Sequence, residues 1–326
     1  MIAPANQSVS FTVDGTTTYG TLDVPAHRRG QRLAAALLLA GSGPTDRNGD
    51  DAAAGLDPHT LQLVASVFGR SGIMTLRFDK YFTGQTGSGA YASHPATMNL
   101  AAFIRQADAA YGFLRNQPAA DPKRMLIAGH SEGGMYALLV AESVSPHPAG
   151  LALIEPQDDR LLSLVQLQTD EQLSAAVAQG DITAAAAMQN AQALQQAIAM
   201  FRAGQQVSTR DLLPAVVNLI KPILLSPGNA AYVRSDDAIY PPDIAAKVAA
   251  GTRILVTDGT ADTNVPPSTI TPLARALTAA GATGPGLRML TGIDHLLHQP
   301  GTSGNDQVLA PSVVAALQAW ARPYAS

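Results

Sequence analysis

The chain contains no cysteine. That absence removes disulfides, zinc–thiolate centres and cysteine nucleophiles together, without settling the compartment. Charged residues are sparse as well, at 14%, and the net charge of -4 comes with no cluster of lysine or arginine. A nucleic-acid partner needs such a cluster to neutralise phosphates, so none is expected. No uninterrupted apolar run reaches the roughly 18 residues of a membrane helix, so no membrane span is expected. The start, Met1-Ile2-Ala3-Pro4-Ala5-Asn6-Gln7, has neither the basic beginning nor the apolar stretch of a secretory leader. The expected location is therefore cytoplasmic, or secreted or periplasmic if a signal peptide has already been removed. What is present is apolar material: 46% of 326 residues, enough for a large core covered on both sides, with room for an insertion.

The most informative stretch is Gly129-His130-Ser131-Glu132-Gly133. Arg124-Met125-Leu126-Ile127-Ala128 before it reads as a buried parallel strand, and Met135-Tyr136-Ala137-Leu138-Leu139-Val140 after it as a covered helix. A serine between glycines at such a junction is a nucleophile elbow, where the turn has no space for Cβ atoms.

A serine hydroxyl is a poor nucleophile at neutral pH and needs a histidine to take its proton and a carboxylate to orient that histidine. On an elbow of this kind the partners follow in the order Ser, Asp or Glu, His. That order excludes His27, His59, His94 and His130, and His147 follows too soon to leave room for an acid. His295 is the preferred base, in the loop after strand-like Leu287-Arg288-Met289-Leu290, with His298 second. The apolar run Arg253–Asp258 leads into Gly259-Thr260-Ala261-Asp262, and Val265-Pro266-Pro267 is expected to begin the next helix. Asp262 is preferred as the acid; Asp258, nearer the strand end, is expected to be a loop-stabilising acceptor.

An oxyanion must also be held, and the backbone N–H of Glu132, next after the serine, is one expected donor. The other should come from the loop that follows the apolar run Leu33–Ala40, namely Gly41-Ser42-Gly43-Pro44-Thr45-Asp46-Arg47-Asn48-Gly49. This loop lacks the Walker A lysine and the Rossmann glycine spacing, so an oxyanion role suits it better than a phosphate cradle. Asp46 and Arg47 are candidates for substrate contact or for an ion pair shaping the loop. Glu155 is a candidate for a polar substrate contact or for capping the next helix.

Gly41-Ser42-Gly43-Pro44-Thr45-Asp46-Arg47 resembles the Gly-Ser-Gly-Pro-x-Asp-Arg loop of bacterial α/β-hydrolase fold serine esterases. Arg77-Phe78-Asp79-Lys80 resembles the segment after the fourth strand in that family, and Asp294-His295-Leu296-Leu297 its histidine loop, commonly Asn-His-Leu. With the elbow, four motifs in the right order cover most of the chain. The resemblance implies the α/β-hydrolase fold, a triad of Ser131, Asp262 and His295, and an oxyanion hole in which the backbone of Ser42 or Gly43 joins that of Glu132. The chain departs from the family at Ala40 for the usual His, at Tyr81-Phe82-Thr83 for the usual Arg-Gly, and at Asp294 for Asn. These differences bear on substrate preference; Asp294 either alters the pH response of the base or faces solvent.

Strands are expected near Ser8–Val13, Tyr19–Val24, Ala34–Ala40, Ile73–Phe78, Arg124–Gly129, Leu151–Glu155, Arg253–Asp258 and Leu287–Leu290. Helices near Thr60–Arg70, Leu100–Asn116, Glu132–Ser143, Thr269–Ala280 and Ser312–Ala321 alternate with them, which implies a mostly parallel sheet flanked by helices. The Ala-, Gln- and Leu-rich interval 157–242 reads as two or three helices, a lid inserted between strands 6 and 7. The expected domains are thus a core of 1–156 and 243–326 and a lid of 157–242. Leu161, Leu164, Leu167, Met188, Met200 and Phe201 are candidates to line a pocket or to pack the lid.

The function these features point to is hydrolysis of a small-molecule carboxylic ester through an acyl-enzyme, with no metal and no organic cofactor required. An acyltransferase, or a peptidase or amidase, would use the same groups, and a binding protein of the same fold would keep none of the chemistry. Nothing in the sequence specifies an oligomeric state.

Overall fold

The structure is a computed structural model that describes residues 1–325; Ser326, the last residue of the expected core range, lies outside the described residues. In chain order the elements are β1 (Ala5–Val13), β2 (Thr16–Val24), β3 (Leu33–Leu39), α1 (Thr60–Arg70), β4 (Met74–Phe78), α2 (Leu100–Arg115), β5 (Ala120–His130), α3 (Glu132–Ser143) and β6 (Gly150–Ile154). Then follow α4 (Leu161–Gln179), α5 (Ala184–Arg202), α6 (Pro214–Leu224), α7 (Ala230–Asp237), α8 (Pro241–Ala245), β7 (Arg253–Gly259), α9 (Thr271–Ala279), β8 (Thr283–Leu290) and α10 (Pro311–Ala321).

One compact unit comprises Met1–Ala90, Phe103–Asp158 and 241–325. Its eight strands form one sheet in the order β1-β2-β4-β3-β5-β6-β7-β8. β1–β2 and β2–β4 pair antiparallel and all other neighbours parallel, as the alternation of elements predicts. The antiparallel hairpin turns on Asp14-Gly15, both at positive φ (49° and 76°), the backbone that a two-residue hairpin loop demands.

All seven residues of β3 and all five of β6 are buried, the mark of parallel strands covered on both faces. Alternate positions Ala34, Ala36 and Leu38 join Leu126, Ala128, Ala152, Ile154 and Leu255 in one core beneath α1 and α10. Helix α1 contributes Leu61, Val64 and Phe68, and α10 contributes Val313, Leu317 and Trp320. The Trp320 ring lies 5.6 Å from that of Phe68, and its indole N–H donates to the Arg253 carbonyl at 3.2 Å. A ring this size filling a closed core is worth about 3–5 kcal/mol against truncation.

Several element boundaries differ from the sequence reading. β5 starts at Ala120, ahead of the expected Arg124, because its leading residues pair with β3 at Leu33 despite Asp121-Pro122. β8 starts at Thr283, its Thr-Gly-Pro-Gly opening carried by pairing with β7 at the sheet edge, where proline is tolerated. Val265-Pro266-Pro267 is not the start of a helix; α9 begins at Thr271.

The second compact unit comprises Tyr91–Ala102 and Asp159–Tyr240. It holds four helices, α4 to α7, against an expectation of two or three. Leu162, Val165, Leu194, Ile198, Phe201, Val216 and Ile220 are buried together in its own core. Arg202 clamps Asp237 through two bonds of 2.7 and 2.9 Å, and Asp237 also accepts the Leu162 N–H at 2.9 Å. The Leu100 N–H donates to Ser235 Oγ at 2.8 Å, a bond between the two segments of this unit. Among the expected lining residues, Leu164 and Phe201 are buried and Met188 is exposed.

Candidate active site

Ser131 occupies the turn between β5 and α3 with φ 57° and ψ -127°, a conformation that a residue with a Cβ adopts only when its surroundings impose it. Its N–H donates to the Ile154 carbonyl at 2.9 Å, and its own carbonyl accepts the N–H groups of Gly134 (2.8 Å) and Gln157 (3.0 Å). The flanking glycines are sterically required. A Cβ on Gly129 would lie 1.9 Å from the Gly133 carbonyl oxygen, and one on Gly133 would lie 2.2 Å from that of Leu39.

The loops after β7 and β8 bring two partners to this hydroxyl. His295 Nε2 is 2.9 Å from Ser131 Oγ, and His295 Nδ1 is 2.7 Å from Asp262 Oδ2. A carboxylate only accepts, so the proton sits on Nδ1 and Nε2 is left to accept from the serine. Asp262 is itself fixed: its Oδ1 takes the N–H groups of Asn264 (2.7 Å) and Val265 (2.9 Å), and the side chain is fully buried. The two loops are laced together by Ala261 N–H to the Ile293 carbonyl (3.0 Å) and Gly292 N–H to Thr260 Oγ1 (2.8 Å). A hydroxyl bonded to an imidazole whose other nitrogen is held by a carboxylate can pass its proton to that ring as it attacks.

The remaining candidates occupy supporting positions. Glu155, with φ 44°, is buried and its Oε2 accepts the Gly259 N–H at 2.5 Å, so it braces the turn that carries Asp262. It does not cap α4, whose N-cap residue is Arg160. Burial, then the nearby charge of Asp262, raises the Glu155 carboxyl well above the usual range. Asp258 is buried, and burial together with Asp262 pushes it up to about 7. Asp294 is engaged within its own loop: its Oδ1 accepts the His298 N–H at 2.8 Å. His298 is buried, with Nε2 donating to the Asp306 carbonyl at 2.8 Å, and so holds the loop rather than the serine.

The Gly41 loop borders the serine. A Cβ on Gly41 would lie 3.1 Å from that of Ser131 and 3.6 Å from its Oγ. Among the described residues no acceptor takes the N–H of Ser42 or Gly43. Asp46 and Arg47 do not pair with each other. Asp46 Oδ1 accepts the N–H groups of Asn48 (2.7 Å) and Asp50 (3.2 Å), closing the loop on itself, and burial raises its pKa. Arg47 forks onto Asp79 at 3.0 and 2.6 Å and reaches Gln85 Oε1 at 2.7 Å, which anchors the loop to the end of β4.

Two residues outside the sequence candidates are built into this region. His130 sits beside the serine, and its Nε2 donates to the His295 carbonyl at 2.7 Å, holding the backbone of the base. Burial, then the neighbouring His295, pushes its pKa down to about 4, so it stays a neutral donor. Lys80 is buried behind the Gly41 loop. Chain order removes His130 from the search for a base but says nothing of a bracing role; its place next to Ser131 was the available signal. Among the described residues no group of three or more His, Asp or Glu could hold a metal ion, and no helix is long and apolar enough to cross a membrane.

No protein-family model matches the sequence, and no curated protein matches it. Solved structures do. Est1E from Butyrivibrio proteoclasticus, with ferulic acid bound, aligns with a TM-score of 0.60 at 16% identity over 97% of this chain and 98% of its own. The Pyrococcus furiosus esterase Pf2001 aligns at 0.58 and 12% identity, over 98% and 91%. A puromycin hydrolase aligns at 0.59 and 17% identity, over 98% of this chain and 39% of its own. With its eight-stranded, mostly parallel sheet flanked by helices, the chain has the α/β-hydrolase fold. At these identities the likeness concerns the fold.

Proposed function

We propose that this protein is a serine hydrolase that cleaves small carboxylic esters through an acyl-enzyme. The observation that carries the reading is the unbroken relay Ser131–His295–Asp262, with both bonds under 3 Å and the serine on a strained elbow. Ser131 Oγ attacks the ester carbonyl as His295 takes its proton; His295 then returns that proton to the departing alkoxide. Water, deprotonated by the same ring, attacks the acyl-serine and releases the acid. Asp262 holds the ring in the Nδ1–H tautomer and stabilises the imidazolium. The oxyanion of each tetrahedral intermediate is bound by the N–H of Glu132 and that of Ser42 or Gly43, amides preorganised before charge develops.

An oxygen leaving group is favoured by the two esterases among the similar structures. The relay itself would serve acyl transfer or amide cleavage equally well. The helical interval 157–242 is assigned a lid role on its place in the chain, between the residues that follow β6 and those that precede β7.

Hydrolysis of a p-nitrophenyl ester series from acetate to long acyl chains, with and without an added acceptor alcohol and alongside matching anilides, tests the reading. Native protein is expected to hydrolyse esters, and Ser131→Ala to retain no more than about 0.1% of kcat, the loss that follows removal of a nucleophile. Full turnover by Ser131→Ala, or esters left untouched by the native protein, would refute it.

A further inference from the structure

The Lys80 ammonium is almost fully buried and reaches both halves of the proposed oxyanion site. Its Nζ donates to the Gly41 carbonyl oxygen and lies 3.8 Å from the Glu132 carboxylate. That carboxylate also accepts the Tyr136 hydroxyl at 2.7 Å. The Phe103 ring stands 5.7 Å from the ammonium, and the cavity around it is otherwise lined by Leu39, Ala40, Phe78, Ala107 and Tyr136. A cation in such surroundings needs fixed partners. Two of its partners belong to the Gly41 loop, which borders Ser131, and to the start of α3, which follows it.

The geometry of the peptide plane gives this contact a consequence. The Gly41–Ser42 bond is trans, and in a trans peptide the C=O and the N–H point to opposite sides. A lysine holding the Gly41 oxygen on one side therefore turns the Ser42 N–H to the other, away from the lysine. Gly41 is the residue of this loop that borders the serine, its would-be Cβ lying 3.6 Å from Ser131 Oγ. Glu132 carries the second amide on its own backbone, so the same ammonium steadies the first turn of α3 through that side chain.

We propose that Lys80 is the positioning residue of the oxyanion hole, fixing through the Gly41 carbonyl the orientation of the Ser42 N–H and so choosing Ser42 over Gly43 as the second donor. The proposal rests on the serine-hydrolase reading. Lys80 touches neither substrate nor reacting atoms; its effect falls on the tetrahedral state, where the oxyanion exists, and leaves ground-state binding alone.

The test uses the full chain as native protein, Lys80→Met, and the double variant Lys80→Met/Glu132→Gln, which leaves no lone buried charge if the single variant folds poorly. Each is assayed with p-nitrophenyl acetate and titrated with phenylboronic acid, which adds to a reactive serine as a tetrahedral anion with an oxygen in the hole. Both variants are expected to lose about 10- to 100-fold in kcat, with KM within about threefold of native and the boronate inhibition constant raised by a similar factor to the kcat loss. A folded variant whose kcat is unchanged, or whose kcat falls while boronate affinity stays native, overturns the role of Lys80 and leaves the hydrolase reading standing. Native protein that neither cleaves the ester nor binds the boronate overturns both.

Discussion

Asp258 is expected to make the protein less stable as the pH rises, and Asp258→Asn to remove that liability. The residue is buried one position before the end of β7, its Oδ2 has no hydrogen-bond partner among the described residues, and burial together with Asp262 pushes its pKa from 3.8 to about 7. In the unfolded chain it ionises near pH 4, so between about pH 4 and pH 7 the folded state holds a proton that the unfolded state has released. Stability therefore falls as pH rises through that window, and the loss is complete above pH 7. A shift of about three units sets a ceiling near 4 kcal/mol. The carboxyl stands at a strand end, where water and loop relaxation screen part of the penalty, so the working figure is about 1–2 kcal/mol. Asparagine reproduces the shape of the protonated acid and cannot ionise. Thermal unfolding of both proteins at about pH 4.5 and about pH 8.5 is the assay: near-equal melting points at the lower pH, and at the higher one a variant more stable by about 2–5 °C. An equal gain at both pH values, or a variant less stable at pH 8.5, would refute the argument.

Asp262→Asn is expected to lower kcat by about 10³- to 10⁴-fold with little change in KM, because the amide can present an N–H to His295 and favour the wrong tautomer; steady-state ester kinetics measure this, and a loss under tenfold would rule out the orienting role. Gly133→Ala forces a Cβ to 2.2 Å from the Leu39 carbonyl oxygen. The neighbour is backbone and cannot yield cheaply, so a loss of more than about 2 kcal/mol is expected, read from urea unfolding, with a loss under 0.5 kcal/mol as the contrary result.

The sheet was legible where one rule dominates. β3 and β6 are nearly continuous apolar runs, and such runs have few fates in an alternating α/β chain. The elbow was legible for a similar reason: glycines at 129 and 133 stand where two backbone segments meet closer than a Cβ allows. Chain order left His295 and His298 as bases, and loop placement then preferred His295, with Asp262 over Asp258 as the acid; the fold places Asp262 and His295 within hydrogen-bond distance of each other and, through His295, of Ser131. What stayed hidden depends on partners distant in sequence. The opening of β8 holds two glycines and a proline and becomes a strand only because β7 supplies its bonds. Arg47 pairs with Asp79, 32 residues away, rather than with adjacent Asp46, since the loop turns the two neighbouring side chains to different partners. Lys80 reads in sequence as a charge after a strand, and nothing local reveals the carbonyl it holds.

The hydroxyl of Ser131 and the ring of His295 are 164 residues apart in the chain. A ribosome adding about 5–20 residues per second makes the elbow roughly 8–33 seconds before it makes the base. For that interval Ser131 lacks the imidazole that the proposed relay needs, and the loop beyond β8, at the sheet edge, supplies it only later. Placing the proposed proton acceptor in the loop after β8 gives the growing chain a built-in delay between making the serine and making the ring it would need.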